Sequence, residues 1–293
     1  NGISPCLTVP NVPVTISNPG SPDWTPRNSG TPLPGNITLQ KALAYSQNYI
    51  AAYLMNIVGP TAVANEAKKM GITTDVPAVP SICLGTFDAS IFDMVGAYSV
   101  FANKGTWTQP TYILKIEDKN GVVLYEPVPE SHDVLNKDIA YAVIKLLEGV
   151  TESGSGVRLR TQGGGSGDNR WTGYPYMFTN PIAGKTGTSQ NQSDGWFIGM
   201  VPNLATGVWV GCEDRSARFN GITYGQGATA ALPVWGYFMK KCYEDPDLQV
   251  SKDPFQRPDN LSIKVDCWTP RKVENDSTAV PVEEEQNTDE FGL

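Results

Sequence analysis

Ala183-Gly184-Lys185-Thr186-Gly187-Thr188, followed after a short polar link by Asp194-Gly195-Trp196-Phe197-Ile198-Gly199, is the stretch on which the fold reading turns. Strand-like patterning runs over Ile182–Thr188, Gly195–Val201 and Gly207–Cys212, and the link Pro202-Asn203-Leu204-Ala205-Thr206 predicts that the last two form a hairpin. A strand carrying these residues suits capture of a peptide carboxylate. Lys185 supplies positive charge, the hydroxyls of Thr186 and Thr188 donate, and Gly187 lets another backbone come close. A backbone N–H at such an edge also suits an oxyanion hole. On its own, the tetrapeptide Lys185–Thr188 fits an ordinary strand end or turn better than a binding site.

Upstream the pattern is helical. Leu39, Leu43, Ile50, Tyr53, Leu54, Ile57 and Val58 share one face from Ile37 onward, and a second helix runs from Thr61 to Met70, stopped by Gly71. Asp88 is the expected N-cap of a third, with Ile91, Phe92, Val95, Tyr98 and Phe101 as its buried stripe. Asp118-Lys119-Asn120-Gly121 signals a hairpin between Tyr112–Glu117 and Val122–Glu126. Asn136 caps a further helix to about Gly149; Gly154 to Gly173 is a glycine-dense loop, and Ala228–Tyr243 closes as a helix. Helices followed by an antiparallel cluster indicate an α+β domain. Residues 1–36 read as an irregular lead-in, 37–248 as the main body, and 249–293 as an extension whose acidic end, Glu283–Glu290, is expected to be disordered.

Composition removes several classes of function. A net charge of -8 argues against nucleic acid, which calls for a basic face. No apolar run is long enough to span a bilayer. Five cysteines without C-x-x-C spacing and a single histidine make a Cys/His metal site unexpected, and no cofactor motif is present. His132 sits in the polar run Pro129–Asp133 and reads as solvated surface, so any acyl-transfer base here is not histidine.

Taken together, these segments resemble the transpeptidase domain of class A penicillin-binding proteins. Ala183–Thr188 with Asp194–Gly199 is similar to that family's K-T-G motif and following strand. Gly207-Val208-Trp209-Val210-Gly211 and Gly227–Trp235 resemble the strand and closing helix beyond it. Trp24-Thr25-Pro26-Arg27-Asn28 and Ile37–Asn48 match the run into the S-x-N motif, here Ser46-Gln47-Asn48. Leu84-Gly85, Ala97-Tyr98 and Phe101–Gly105 match the helical region after it. The resemblance implies the penicillin-binding/serine β-lactamase-like fold, N-terminally truncated, and D,D-transpeptidation of peptidoglycan stem peptides through a serine acyl-enzyme. It implies catalytic roles for Ser46 (proton relay), Asn48 (substrate amide and lysine orientation) and Lys185 (polarising Ser46, attracting the carboxylate). Thr186, Gly187 and Thr188 would bind substrate, with the Thr188 N–H an oxyanion donor. From the residues alone, Ser46 and Asn48 fit mid-helix polarity as well as a loop between two helices.

One departure matters. No serine in the chain is followed three residues later by lysine; the nearest match, Thr38-Leu39-Gln40-Lys41, is read as a decoy. The family's nucleophile-bearing S-x-x-K is expected upstream of Asn1, along with a glycan-polymerising domain and membrane anchor, on the periplasmic face of the membrane. The expected partners are stem peptides, β-lactams and, through that upstream domain, glycan strands. These 293 residues alone are expected to escape acylation by penicillin and to expose apolar surface. Other readings are a non-catalytic β-lactam sensor or degenerate binding domain, and a D,D-carboxypeptidase or β-lactamase. In an extracytoplasmic setting, Cys242–Cys267 and Cys6–Cys83 are candidate bridges, with inert thiols as the alternative.

Overall fold

The computed structural model of the chain describes residues 3–17, 22–30, 32–160 and 176–267. Most of the glycine-dense loop and the acidic end lie outside these residues. Strand β1 (Thr8–Pro10) pairs antiparallel with β2 (Asn36–Thr38), burying Val9 against Ile37. Three helices follow: α1 (Leu39–Ala44), α2 (Asn48–Val58) and α3 (Pro60–Lys69), so the periodic run from Leu39 breaks at Tyr45–Gln47. Helix α4 (Ile91–Ala102) leads to β3 (Thr106–Thr108), which pairs with β6 (Ser131–Asp133) across an excursion formed by the short hairpin β4 (Ile116–Glu117) and β5 (Val123–Tyr125). His132 thus lies in a strand, with Nε2 2.9 Å from the Lys69 carbonyl. Apolar side chains at the hairpin stand in solvent, Tyr112 at 84% and Val128 at 89% exposure, marking this excursion as the least covered part of the fold.

Helix α5 (Lys137–Glu152) starts as expected, with Asn136 Oδ1 accepting the Ile139 N–H at 2.9 Å, and runs past Gly149. The cap of α4 differs from expectation. Ser90, not Asp88, accepts the Asp93 N–H at 3.0 Å, while Asp88 pairs with Arg215. The buried stripe of α4 is Asp93, Gly96, Ala97 and Val100, leaving Ile91 and Phe92 exposed. The reason is polar. Asp93 accepts from the Thr73 N–H and hydroxyl at 2.9 and 2.6 Å, and this rotates its face inward.

The central sheet is β7 (Ala183–Thr188), β8 (Asp194–Val201) and β9 (Leu204–Gly211), antiparallel in that order, with β8 and β9 joined through Pro202 and Asn203. Its period of two sorts the side chains between layers. Ala183 and Met200, directly paired, pack against Ile144 and Leu147 of α5. On the opposite face Phe197 meets Trp235, ring centroids 5.2 Å apart, in a cluster with Leu232 and Met239. These belong to α8 (Leu232–Glu244), which follows the short turns α6 (Ile222–Gly225) and α7 (Gly227–Ala230). The closing helix is therefore broken at Ala231, with Pro233, which lacks an N–H, in the first turn of α8. Truncating the fully buried Trp235 to alanine would cost about 3–5 kcal/mol. Among the described residues no helix is long and apolar enough to cross a membrane.

The cysteine expectation is corrected. Cys6 is bonded to Cys267, whereas Cys83 and Cys242 are free thiols. Cys242 lies buried on α8, and Cys83 packs against the cluster holding Ile82, where burial pushes its thiol up to about 11. Val265 and Phe255, both buried, carry residues 249–267 back over the body to reach Cys6. A non-reducing digest should yield a Cys6–Cys267 linked peptide, and reduction should lower stability by about 3–5 kcal/mol, as expected for so long a closed loop. A Cys242–Cys267 peptide would contradict this pairing.

Candidate active site

The turn between α1 and α2 is built by a specific pair of backbone bonds. Gln47 N–H donates to Ala42 C=O at 2.9 Å and Ser46 N–H to Leu43 C=O at 3.0 Å, with Ser46 at φ 52°. This is a Schellman closure, whose left-handed position usually falls to glycine because a Cβ there costs about 1–2 kcal/mol. A serine held in that conformation is exposed, its hydroxyl directed out of the turn toward β7.

Gln47 fixes the strained turn. It is buried, and its Oε1 accepts from Asn11 Nδ2 at 2.8 Å, Asn28 Nδ2 at 3.0 Å and the Leu33 N–H at 3.3 Å. Its Nε2 donates to the Tyr45 carbonyl at 3.1 Å. Asn48 opens α2, and its Nδ2 donates to the Arg27 carbonyl at 2.6 Å. The lead-in therefore acts as a brace for this turn.

Lys185 enters from β7 on the face shared with Ala183, between the sheet and the helices. Its Nζ donates to Ser46 Oγ at 3.0 Å and to the Thr186 carbonyl at 2.9 Å. No carboxylate lies in ion-pair range of it among the described residues. The residue keeps a partly open surface, but protein crowds its ammonium, and this desolvation pulls its pKa down to about 8. Asn48 makes no hydrogen bond to Lys185 or Ser46.

The two threonines have different supports. Thr188 Oγ1 accepts the Gly227 N–H at 3.0 Å, which leaves its own proton to donate. A Cβ on Gly227 would lie 2.3 Å from the Gly187 and Trp196 carbonyls, so only glycine lets α7 approach the strand. Thr186 Oγ1 lies 2.7 Å from Ser155 Oγ. Trp196, paired opposite Gly187, tilts against Trp209, whose Nε1 donates to Asp194 at 3.0 Å. Beyond Thr188 a cleft of about 390 Å³ is lined by Gln190, Asn191, Ser193, Arg215, Ser216 and Arg218. A larger hollow, about 450 Å³, lies between Phe101, Tyr141 and residues 251–259, and contains none of the motif side chains. Among the described residues no cluster of three or more His, Cys, Asp or Glu could hold a metal.

Sequence reasoning thus named Ser46, Asn48, Lys185, Thr186, Gly187 and Thr188, and the fold brings Ser46 and Lys185 into contact across 139 residues. It missed Gln47 and Ser155. Gln47 is the unspecified middle position of its motif, and Ser155 reads only as the start of a flexible loop.

A family model for the penicillin binding protein transpeptidase domain matches residues 3–212. The chain belongs to this family. Curated relatives include penicillin-binding protein 1A of Aquifex aeolicus, 33% identical over 83% of this chain and 30% of that protein, and penicillin-binding protein 1A of Rickettsia conorii, 30% identical over 92% of the chain and 34% of that protein. The chain thus spans about a third of the length of these relatives. Among solved structures, penicillin-binding protein 1A from Haemophilus influenzae superposes with a TM-score of 0.71 at 23% identity, covering 89% of this chain and 41% of that one. The penicillin-binding protein PonA1 from Mycobacterium tuberculosis gives 0.73 at 22% identity, covering 98% and 72%. The α+β arrangement is therefore that of penicillin-binding transpeptidase domains.

The strained turn is testable by denaturant unfolding. Ser46→Gly should be about 1 kcal/mol more stable than Ser46→Ala, because glycine removes the left-handed penalty. Gln47→Ala should cost about 2–3 kcal/mol by leaving buried donors unpaired. Equal stability of the two Ser46 variants would contradict the turn geometry.

Proposed function

We propose that this chain is the carboxylate-binding and proton-relaying part of a D,D-transpeptidase that cross-links peptidoglycan stem peptides through a serine acyl-enzyme. The observation that carries the reading is the Lys185–Ser46 contact, an ammonium with a hydroxyl for partner and no carboxylate beside it. Lys185 has an N–H left over, and Thr186 and Thr188 follow it on the same strand. A peptide ending in a carboxylate supplies the missing anion. Ser46 then passes a proton toward the leaving amine, its polarity set by Lys185. Asn48 Oδ1, which makes no hydrogen bond among the described residues, accepts from a substrate amide in this reading. In this reading residues 37–248 carry the body, and the extension begins at residue 249.

The attacking serine and its lysine base are assigned to a segment outside these 293 residues, because no S-x-x-K occurs within them. A glycan-polymerising domain and membrane anchor belong to the same larger protein in this reading. The Cys6–Cys267 bond fits a site outside the cytoplasm, where disulfides persist. The absence of S-x-x-K also favours a second reading, a sensor that binds β-lactams without being acylated.

A fluorescent penicillin separates them. The full-length protein should form a covalent, heat-stable adduct, while the 293-residue chain alone should form none. Reversible binding without an adduct in the full-length protein would support the sensor instead. Lys185→Ala in the full-length protein should slow acylation by about a hundredfold, the loss of one charge-assisted contact in a desolvated site. The pH dependence has a defined sign. Lys185 is charged below its pKa of about 8 and loses the proton above it, so kcat/KM should fall as pH rises through about 8. A flat profile to pH 10, about two units higher, would count against the lysine.

A further inference from the structure

Ser155, in the turn after α5, hydrogen-bonds to one of the residues that the motifs name, Thr186. The geometry points to Ser155 as a positioning residue that donates to the Thr186 hydroxyl and so directs the Thr186 proton toward the substrate's terminal carboxylate. This inference rests on the transpeptidase reading above and adds to it a residue outside the S-x-N and K-T-G motifs.

Ser155 is held on both sides. Its N–H donates to the Ala44 carbonyl at 2.9 Å, and Ala44 ends the helix that leads into Ser46. Gly154 before it would place a Cβ 2.1 Å from that same carbonyl, so any side chain there would push α1 away. Gly156 N–H closes back on Val150 C=O at 2.9 Å. The serine therefore links the two halves of the site, by its backbone to the Ser46 turn and by its hydroxyl to the lysine-bearing strand.

The proton count gives the direction. Each hydroxyl has one proton and two lone pairs. The Ser155 and Thr186 oxygens are 2.7 Å apart, so one donates to the other. If Thr186 donated to Ser155, it would present only lone pairs to the cleft and repel a carboxylate. If Ser155 donates, Thr186 keeps its proton for the anion, next to the free N–H of Lys185, and the chain of donors strengthens along its length. Arrival of a carboxylate selects the second arrangement. Ser155 has no other hydrogen-bond partner for its hydroxyl among the described residues, so nothing competes with this role.

The test uses the full-length protein and the ratio of acylation rates for benzylpenicillin and its methyl ester, which lacks the anion. Ser155→Ala should slow the carboxylate form about tenfold and leave the ester rate nearly unchanged, while Ser155→Thr restores the wild-type ratio. In a Thr186→Val background, Ser155→Ala should add no further loss of discrimination. If Ser155→Ala melts early, Ser155→Cys, similar in size but a weak donor, should show the same loss of ratio. Equal slowing of both probes, an unchanged ratio, or a full additional loss in the double variant would overturn the inference while leaving the transpeptidase reading intact. Failure of the wild-type protein to be acylated by either probe would remove that reading and the inference with it.

Discussion

Crowding a lysine ammonium with protein while giving it a hydroxyl and a carbonyl in place of a carboxylate costs solvation that those neutral partners only partly restore. Lys185 is in that position, and its lowered pKa records the cost. The surrounding structure can be read as what holds this arrangement in place. Strand pairing fixes Lys185 opposite Ile198, α5 packs behind Ala183, and the Ser46 turn is pressed against the ammonium from the helical side. An anion entering the cleft supplies the partner that the fold withholds. In the proposed reading, that partner is the terminal carboxylate of the substrate.

Two close approaches make this geometry available. Gly154 lets the end of α5 meet the last carbonyl of α1, and Gly227 lets α7 sit on the β7–β8 pair. Both are backbone contacts that no larger residue tolerates, and both lie close to the motif residues. The strain in Ser46 is confined in the same way, with Gln47 collecting donors from Asn11, Asn28 and Leu33. Rigid support around a few unsatisfied donors is the arrangement expected of a preorganised electrostatic site.

Much of this was legible in the sequence. The strands β7, β8 and β9 show as short runs rich in apolar residues and glycine, and the helices show through the 3.6-residue periodicity that local pattern records directly. The order of the S-x-N and K-T-G segments identified the family and named the two residues in contact. The parts that were not legible depend on tertiary contacts. The face of α4 is turned by the Asp93–Thr73 bonds, and the disulfide follows the return path of residues 249–267, neither of which spacing encodes. Gln47 and Ser155 escaped for a related reason. A polar residue among polar neighbours reads as surface until the fold shows what surrounds it.

The claim at the centre of this account is that Lys185 stands without an acidic partner until a carboxylate arrives. Carbon-13 NMR of lysine labelled at Cε, assigned through a Lys185→Arg variant of the full-length protein, measures its pKa directly. The account predicts a midpoint near 8 in the free protein, and a rise when a β-lactam bearing a carboxylate occupies the site. A midpoint near the ordinary lysine value of about 10.4, unmoved by ligand, would contradict it.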